Sequence, residues 1–186
     1  MPFEFNNTAI DGIIVIKPHI YTDNRGCYKK YFEKKIFVEH GIICEFTESS
    51  DIYSEKGALR GLHYQSECSQ AKLIRVVSGL LFDVALDLRP DSSTFGKYHV
   101  QYMDSKDNDI IFIPEGFAHG FIALKENTIF SYQCSGKYIP EKCGGILWND
   151  TELAIPWPLK KYGINEVIAT EKDKSWPSLR EYMKRM

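Results

Sequence analysis

Apolar residues along this chain fall into short runs with turn-forming residues between them. Runs at 13–16, 73–77, 80–88, 110–113, 121–124 and 129–132 are rich in Ile, Val, Leu and Phe and have the length of strands. Between such runs lie Asp23-Asn24-Arg25-Gly26, Ser78-Gly79, Pro90-Asp91-Ser92-Ser93 and Asp107-Asn108-Asp109, residue types that favour tight turns. Many short strands punctuated in this way predict an all-β sandwich or barrel. Helical pattern is confined to the edges, at 32–40, ended by Gly41, and at 178–184, with Pro177 at its first turn. No internal repeat or low-complexity linker divides the chain. Its 186 residues read as one domain, large enough to bury a real core.

One strand-like stretch carries unusual chemistry. Arg60-Gly61-Leu62-His63-Tyr64-Gln65, followed by Lys72, places an imidazole between two cations, with Leu59, Leu62 and Tyr64 before and Leu73, Ile74, Val76 and Val77 after. A sheet fixes the direction of such groups better than a loop does. A His with neighbouring cations suits removal of a proton from a carbon next to a carbonyl, a cation then stabilising the oxyanion. The plainer alternative is a structural His inside a barrel. A second His, His119, follows the Pro/Gly turn of Ile113-Pro114-Glu115-Gly116-Phe117-Ala118-His119-Gly120-Phe121.

Two histidines could suggest a metal, but Tyr64 and Gln65 follow His63 where a His-x-His pair would be needed. Without a third or fourth ligand the site is a poor one, and no metal is expected. In Phe82-Asp83-Val84-Ala85-Leu86-Asp87-Leu88-Arg89 the two acids share one strand face. They are expected to anchor Arg60, Arg75 or Arg89 inside a barrel, since a carboxylate so paired has a lowered pKa and makes a poor base.

A net charge of −2 argues against a nucleic-acid or acidic-membrane footprint. Five cysteines, an odd number with no CxxC pair, suit free thiols in a reducing cytoplasm. Glu4 and Asn6 stand where a signal peptide would be basic and then apolar, and no apolar run approaches about 18 residues. The expectation is a soluble cytoplasmic protein. No glycine-rich dinucleotide fingerprint is present, so no redox cofactor is expected. The segment through residue 16 is apolar and β-prone, and an open edge strand there would invite pairing with another chain.

The ordered set of motifs resembles the nucleotide-sugar 3,5-epimerases of the dTDP-4-dehydrorhamnose 3,5-epimerase family nearly end to end. It comprises Asp23-x-Arg25-Gly26, the stretches around His63, Lys72-Leu73, Asp83 and His119, Ser93-Thr94-Phe95-Gly96, Trp148-Asn149-Asp150, Ile155-Pro156-Trp157-Pro158 and Lys172-Asp173. The resemblance implies a double-stranded β-helix (cupin, jelly-roll) fold with short peripheral helices. It also implies a homodimer, a nucleotide-sugar substrate, catalysis without a metal or other cofactor, and a place in deoxysugar supply for cell-surface polysaccharide. By the same resemblance His63 is the general base, Asp173 the carboxylate that orients it and Tyr132 the proton donor. Lys72 stabilises the enolate, Arg60 and His119 line the site, and Arg25 and Lys172 contact the nucleotide-sugar.

The chain departs from the family pattern at several grips on the substrate. Lys30 stands where an acid is common, Glu48 and Ser50 replace an amide pair among the substrate contacts, and Cys143 stands where Glu is frequent. Exchanging an amide for a carboxylate alters both charge and donor–acceptor pattern. A relative inverting a single carbon, or a ketoisomerase on another 4-keto sugar, is therefore the alternative within enzymes. A non-catalytic sugar-nucleotide-binding cupin is the alternative of another class.

Overall fold

The computed structural model describes residues 2–185. Its strands are β1 (Phe3–Asn7), β2 (Ile14–Pro18), β3 (Ile20–Asp23), β4 (Gly26–Lys29), β5 (Phe46–Ser54), β6 (Leu59–Gln65) and β7 (Lys72–Ser78). They continue as β8 (Leu80–Asp87), β9 (Tyr98–Asp104), β10 (Ile110–Ile113), β11 (Phe117–Ala123), β12 (Thr128–Ser135) and β13 (Cys143–Gly145). The α-helices are α1 (Lys34–Glu39), α2 (Glu171–Lys174) and α3 (Leu179–Met183). A six-stranded sheet runs β1-β2-β10-β7-β12-β5 and a five-stranded sheet β13-β6-β11-β8-β9, while β3 and β4 form a separate hairpin. Pairing is antiparallel throughout the ladders that matter for the site. This is the all-β, cupin-like architecture expected from the sequence.

Three apolar layers explain the hydrophobic pattern. Between the sheets lie Ile74, Val76, Leu81, Ala85, Met103, Phe117, Phe121 and Phe130. The outer face of the five-stranded sheet, with Phe82, Val84, Leu86, Ala118 and Ile122, is covered by C-terminal chain bearing Trp148, Trp157 and Tyr182. The outer face of the other sheet is covered by α1, whose Phe37 meets Phe3 edge-on at 5.2 Å. Strand β8 is thus buried on both faces at all its positions, which is why it reads as a continuous apolar run rather than an alternation.

The strand runs appear nearly where the pattern put them, but β3, β4, β5, β9 and β13 carry no such run. Strand β5 is a polar, largely exposed edge strand, so it carries no alternation to read. Helix α1 is shorter than 32–40 and ends before Gly41, whose φ is +85°. Helix α3 begins after a Ser178 cap, with Glu181 closing a capping box, so Pro177 lies outside its first turn. The short α2, unsignalled in the apolar pattern, is capped by Thr170 accepting from the Asp173 amide at 3.1 Å. Among the described residues no helix is long and apolar enough to cross a membrane.

Candidate active site

Strict alternation would put Arg60 and His63 on opposite faces of β6, yet both line the same cleft. The reconciling feature is a bulge. His63 lies opposite His119, while Phe121, two residues further along β11, lies opposite Arg60. The extra residue in β6 includes Gly61, at φ +129°. A Cβ there would fall 2.4 Å from Gly120 Cα, so no other residue permits this close approach of the two strands. Leu59 and Leu62 thereby reach the outer core, and Arg60 and His63 the interior.

Each of the two facing histidines has its own carboxyl partner. His63 Nε2 is hydrogen-bonded to Asp173 Oδ1, which also accepts from Trp176 Nε1 at 3.3 Å. Asp173 Oδ2 accepts from the Thr170 hydroxyl at 2.9 Å. With Nε2 so engaged, His63 Nδ1 is the nitrogen left to take a proton. The His63 side chain is 46% exposed towards the open cleft, while Asp173 behind it is only 4% exposed. Protein walls around the ring desolvate it and push its pKa below the ordinary imidazole value. Asp173 opposes that shift, and His119 and Lys172 reinforce it. The ring is therefore neutral, and able to act as a base, at neutral pH. His119 Nε2 bonds Asp83 Oδ2 at 2.7 Å, with both groups buried.

The opposite sheet supplies the other half of the site. Lys72, Ile74 and Val76 of β7 lie beside Cys134, Tyr132 and Phe130 of β12, so these alternating side chains share the inward face. Lys72 is thus across the cleft from His63 rather than on a paired strand. Among the described residues it forms no ion pair, and burial pushes its pKa down, with Cys134, Cys143 and Asp83 opposing. Burial pushes the Tyr132 phenol up, Cys134 and Glu48 adding to it while Ser50 and Arg60 counter. It therefore holds its proton at neutral pH. Burial also drives the Cys134 thiol up to about 11, so it stays protonated at neutral pH.

The resulting cleft has a volume of about 520 Å³ and gathers Glu48, Arg60, His63, Lys72, His119, Tyr132, Lys172 and Asp173. Ser50 stands at its border, opposite Tyr132 on the edge strand. Arg25 is not brought into it within one chain. That residue sits at the β3–β4 turn, 85% exposed and paired with Asp23 at 2.6 Å. Among the departures from the family pattern, Cys143 lines the cleft, while Lys30 is tied to Glu33 at 2.7 Å.

One expectation needs correction. Asp87 does anchor Arg89, through bonds of 2.9 and 2.7 Å, and these with Ser92 and Thr94 outweigh burial to bring its pKa down to about 2. Asp83 instead binds His119, so it belongs to the site and not to an arginine anchor. The four-residue spacing cannot distinguish these partners, because what faces each acid comes from other strands. Trp176 and Tyr138 also line the cleft and escaped notice in the sequence. Trp176 fits because Gly145 lacks a Cβ, which would meet the indole at 2.5 Å. Among the described residues no group of three or more His, Cys, Asp or Glu is placed to hold a metal ion.

The family model described as dTDP-4-dehydrorhamnose 3,5-epimerase matches residues 7–181. A dTDP-4-dehydrorhamnose 3,5-epimerase of Methanothermobacter thermautotrophicus is 44% identical over 179 residues, 96% of each chain. The crystal structure of the dTDP-6-deoxy-D-glucose-3,5-epimerase of Legionella pneumophila, in complex with dTDP-4-keto-L-rhamnose, matches with a TM-score of 0.90 at 39% identity. That match covers 96% of this chain and 93% of the other. A 3′-monoepimerase from Streptomyces bikiniensis, in complex with dTDP-quinovose, has a TM-score of 0.87 at 28% identity, covering 96% and 89%. With an imidazole and a phenol entering one cleft from different sheets, these likenesses define an isomerase, a carbohydrate epimerase of cupin-like fold. The chain belongs to the dTDP-4-dehydrorhamnose 3,5-epimerase family.

Proposed function

We propose that this chain inverts C3 and C5 of a nucleotide-linked 4-keto-6-deoxy sugar, converting dTDP-4-dehydro-6-deoxyglucose to dTDP-4-dehydrorhamnose. The observation that carries this reading is the origin of the two proton-transfer groups on opposite sheets: His63 on the five-stranded one, Tyr132 on the six-stranded one. A sugar ring held between them meets a base on one face and an acid on the other, which is what inversion of a carbon requires.

His63 Nδ1 takes the hydrogen next to the C4 ketone, and the C–H electron pair moves to the C4 oxygen. That hydrogen is far less acidic than an imidazolium of pKa about 6.5, so the enolate must be stabilised in a water-poor site. Lys72 takes this role in the scheme, and its depressed pKa, which makes it readier to share a proton with the enolate oxygen, supports the assignment. Tyr132 then protonates the carbon from the other face. Its phenolate regains a proton from solvent and His63 releases one, so the net change is isomerisation alone. No metal or redox cofactor enters this balance.

Arg60, His119, Glu48, Ser50 and Lys172 are assigned to the nucleotide-sugar. Arg25 fits this scheme if the protein is a homodimer in which the hairpin reaches the partner's cleft. Support comes from the open outer edge of β1 and from Tyr21 and Tyr28, 55% and 60% exposed on the hairpin. Five free thiols suit a cytoplasmic setting.

The test is incubation with a panel of 4-keto-6-deoxy sugar nucleotides in heavy water, following deuterium at each ring carbon. Uptake at C3 and C5 of the dTDP substrate, with rhamnose-configured product, is expected. Uptake at one carbon only would establish a single-site epimerase. Absence of uptake with every member of the panel would leave the non-catalytic binding role.

A further inference from the structure

Asp83 is flanked by two histidines, not one. In the β8–β11 ladder His119 lies opposite Ala85, and in the β8–β9 ladder His99 lies opposite the same Ala85. Both rings are therefore same-face, diagonal neighbours of Asp83, two residues before Ala85, at a separation that such side chains span. The Ala85 methyl leaves the room between them to the carboxyl. Asp83 Oδ2 is taken by His119 Nε2 at 2.7 Å. Asp83 Oδ1 is buried and has no hydrogen-bond partner, and the same holds for His99 Nε2. Gln101, directly opposite Asp83, turns its amide nitrogen to the Tyr102 carbonyl at 3.4 Å.

These two buried polar atoms without partners lie one diagonal step apart on one face and are complementary, since a ring N–H donates and a carboxylate oxygen accepts. We propose that His99 is a positioning residue: its Nε2–H donates to Asp83 Oδ1, directly or through one buried water, and so holds the carboxyl that orients His119 in the cleft. The motif becomes a line of three groups, His119–Asp83–His99, running from the cleft into the wall of the barrel. Burial lowers the His99 pKa, while Gln101 and Asp83 oppose this. A ring neutral at neutral pH has a single N–H. The proposal therefore commits to one tautomer, with Nε2 protonated and Nδ1 bare, over the one in which Nδ1–H meets the Gln101 side chain.

This rests on the reading of His119 as a substrate-site residue, but its first test does not. Long-range proton–nitrogen NMR of the full ¹⁵N-labelled protein, with His99 assigned by its loss in His99→Gln, should show a protonated Nε2 that shifts in Asp83→Asn. A bare Nε2, or a resonance indifferent to Asp83→Asn, overturns the proposal even if activity variants fail to fold. In the second test, His99→Val should lower kcat/KM about tenfold, the worth of one lost hydrogen bond. His99→Gln, which still offers an N–H, should recover to within about threefold. A merely structural ring would lower Tm without separating the two variants kinetically. Val within twofold of the parent, or Gln no better than Val, refutes the positioning role.

Discussion

Asp173→Asn isolates the contribution of charge to the base, because the surroundings dictate how the amide must sit. The Trp176 indole N–H can only donate, and it points at Asp173 Oδ1. The Thr170 hydroxyl on the other oxygen can reverse from donor to acceptor. The amide oxygen therefore faces His63 and Trp176, and its NH₂ turns to Thr170. His63 keeps its tautomer and orientation and loses only the negative charge behind its imidazolium. A hydrogen bond to a charged group contributes about 1.5–3 kcal/mol and a neutral one about 0.5–1.5 kcal/mol. The difference of about 1–1.5 kcal/mol corresponds to about a 5–13-fold loss of rate. Solvent in the open cleft around His63 favours the lower end of that range.

Removing the base outright, by His63→Ala, should cost about 10²–10⁴-fold or more. Deuterium uptake at C3 and C5 in heavy water measures both variants. The pH profile adds a second readout. The base works only when neutral, so activity is full above the His63 pKa and is lost as pH falls through it. In the unmodified protein that acid limb lies below the ordinary imidazole value. Asp173 raises the pKa, so Asp173→Asn should move the limb to lower pH still. A silent Asp173→Asn, or one as damaging as His63→Ala, would refute the argument: the first would remove the dyad, the second would mean that orientation, not charge, had been lost.

Tyr132→Phe deletes one hydroxyl and should leave solvent exchange measurable while inverted product falls about 10²–10⁴-fold, as expected for a lost general acid. Equal loss of exchange and inversion would instead make Tyr132 a positioning or enolate-stabilising group, and unchanged inversion would remove it from the mechanism. Dialysis against a strong chelator should leave turnover intact; activity lost and then restored by zinc, iron or nickel would contradict the proton-transfer scheme. Deleting residues before Asp11 removes edge strand β1, and should weaken the dimer in sedimentation and lower Tm, because Phe3 and Phe5 both pack on Phe37. A shortened chain that stays dimeric at micromolar concentration and fully active would dismiss that interface, as would a parent protein that is monomeric and fully active there.

The apolar runs alone define most of the interior strands, because a strand buried on both faces, such as β8, must be apolar at nearly every position. The same runs are silent about β5, whose polar edge carries Ser50 opposite Tyr132. The motif around His63 pointed to a base flanked by cations, and the resemblance supplied Asp173 and Tyr132 from far along the chain. What no linear pattern contained was direction. Arg60 and His63 share a face only because Gly61 lets β6 bulge against Gly120. His63 and Tyr132 enter the cleft from different sides only because β6 and β12 belong to different sheets. The partners of Asp83 were likewise undecided until β9 and β11 flanked β8. Local sequence determines which segments extend and which side chains carry chemistry, since those depend on residue type and period. Which group faces which is settled by long-range strand pairing, where one residue of register turns a side chain to the other face of its sheet.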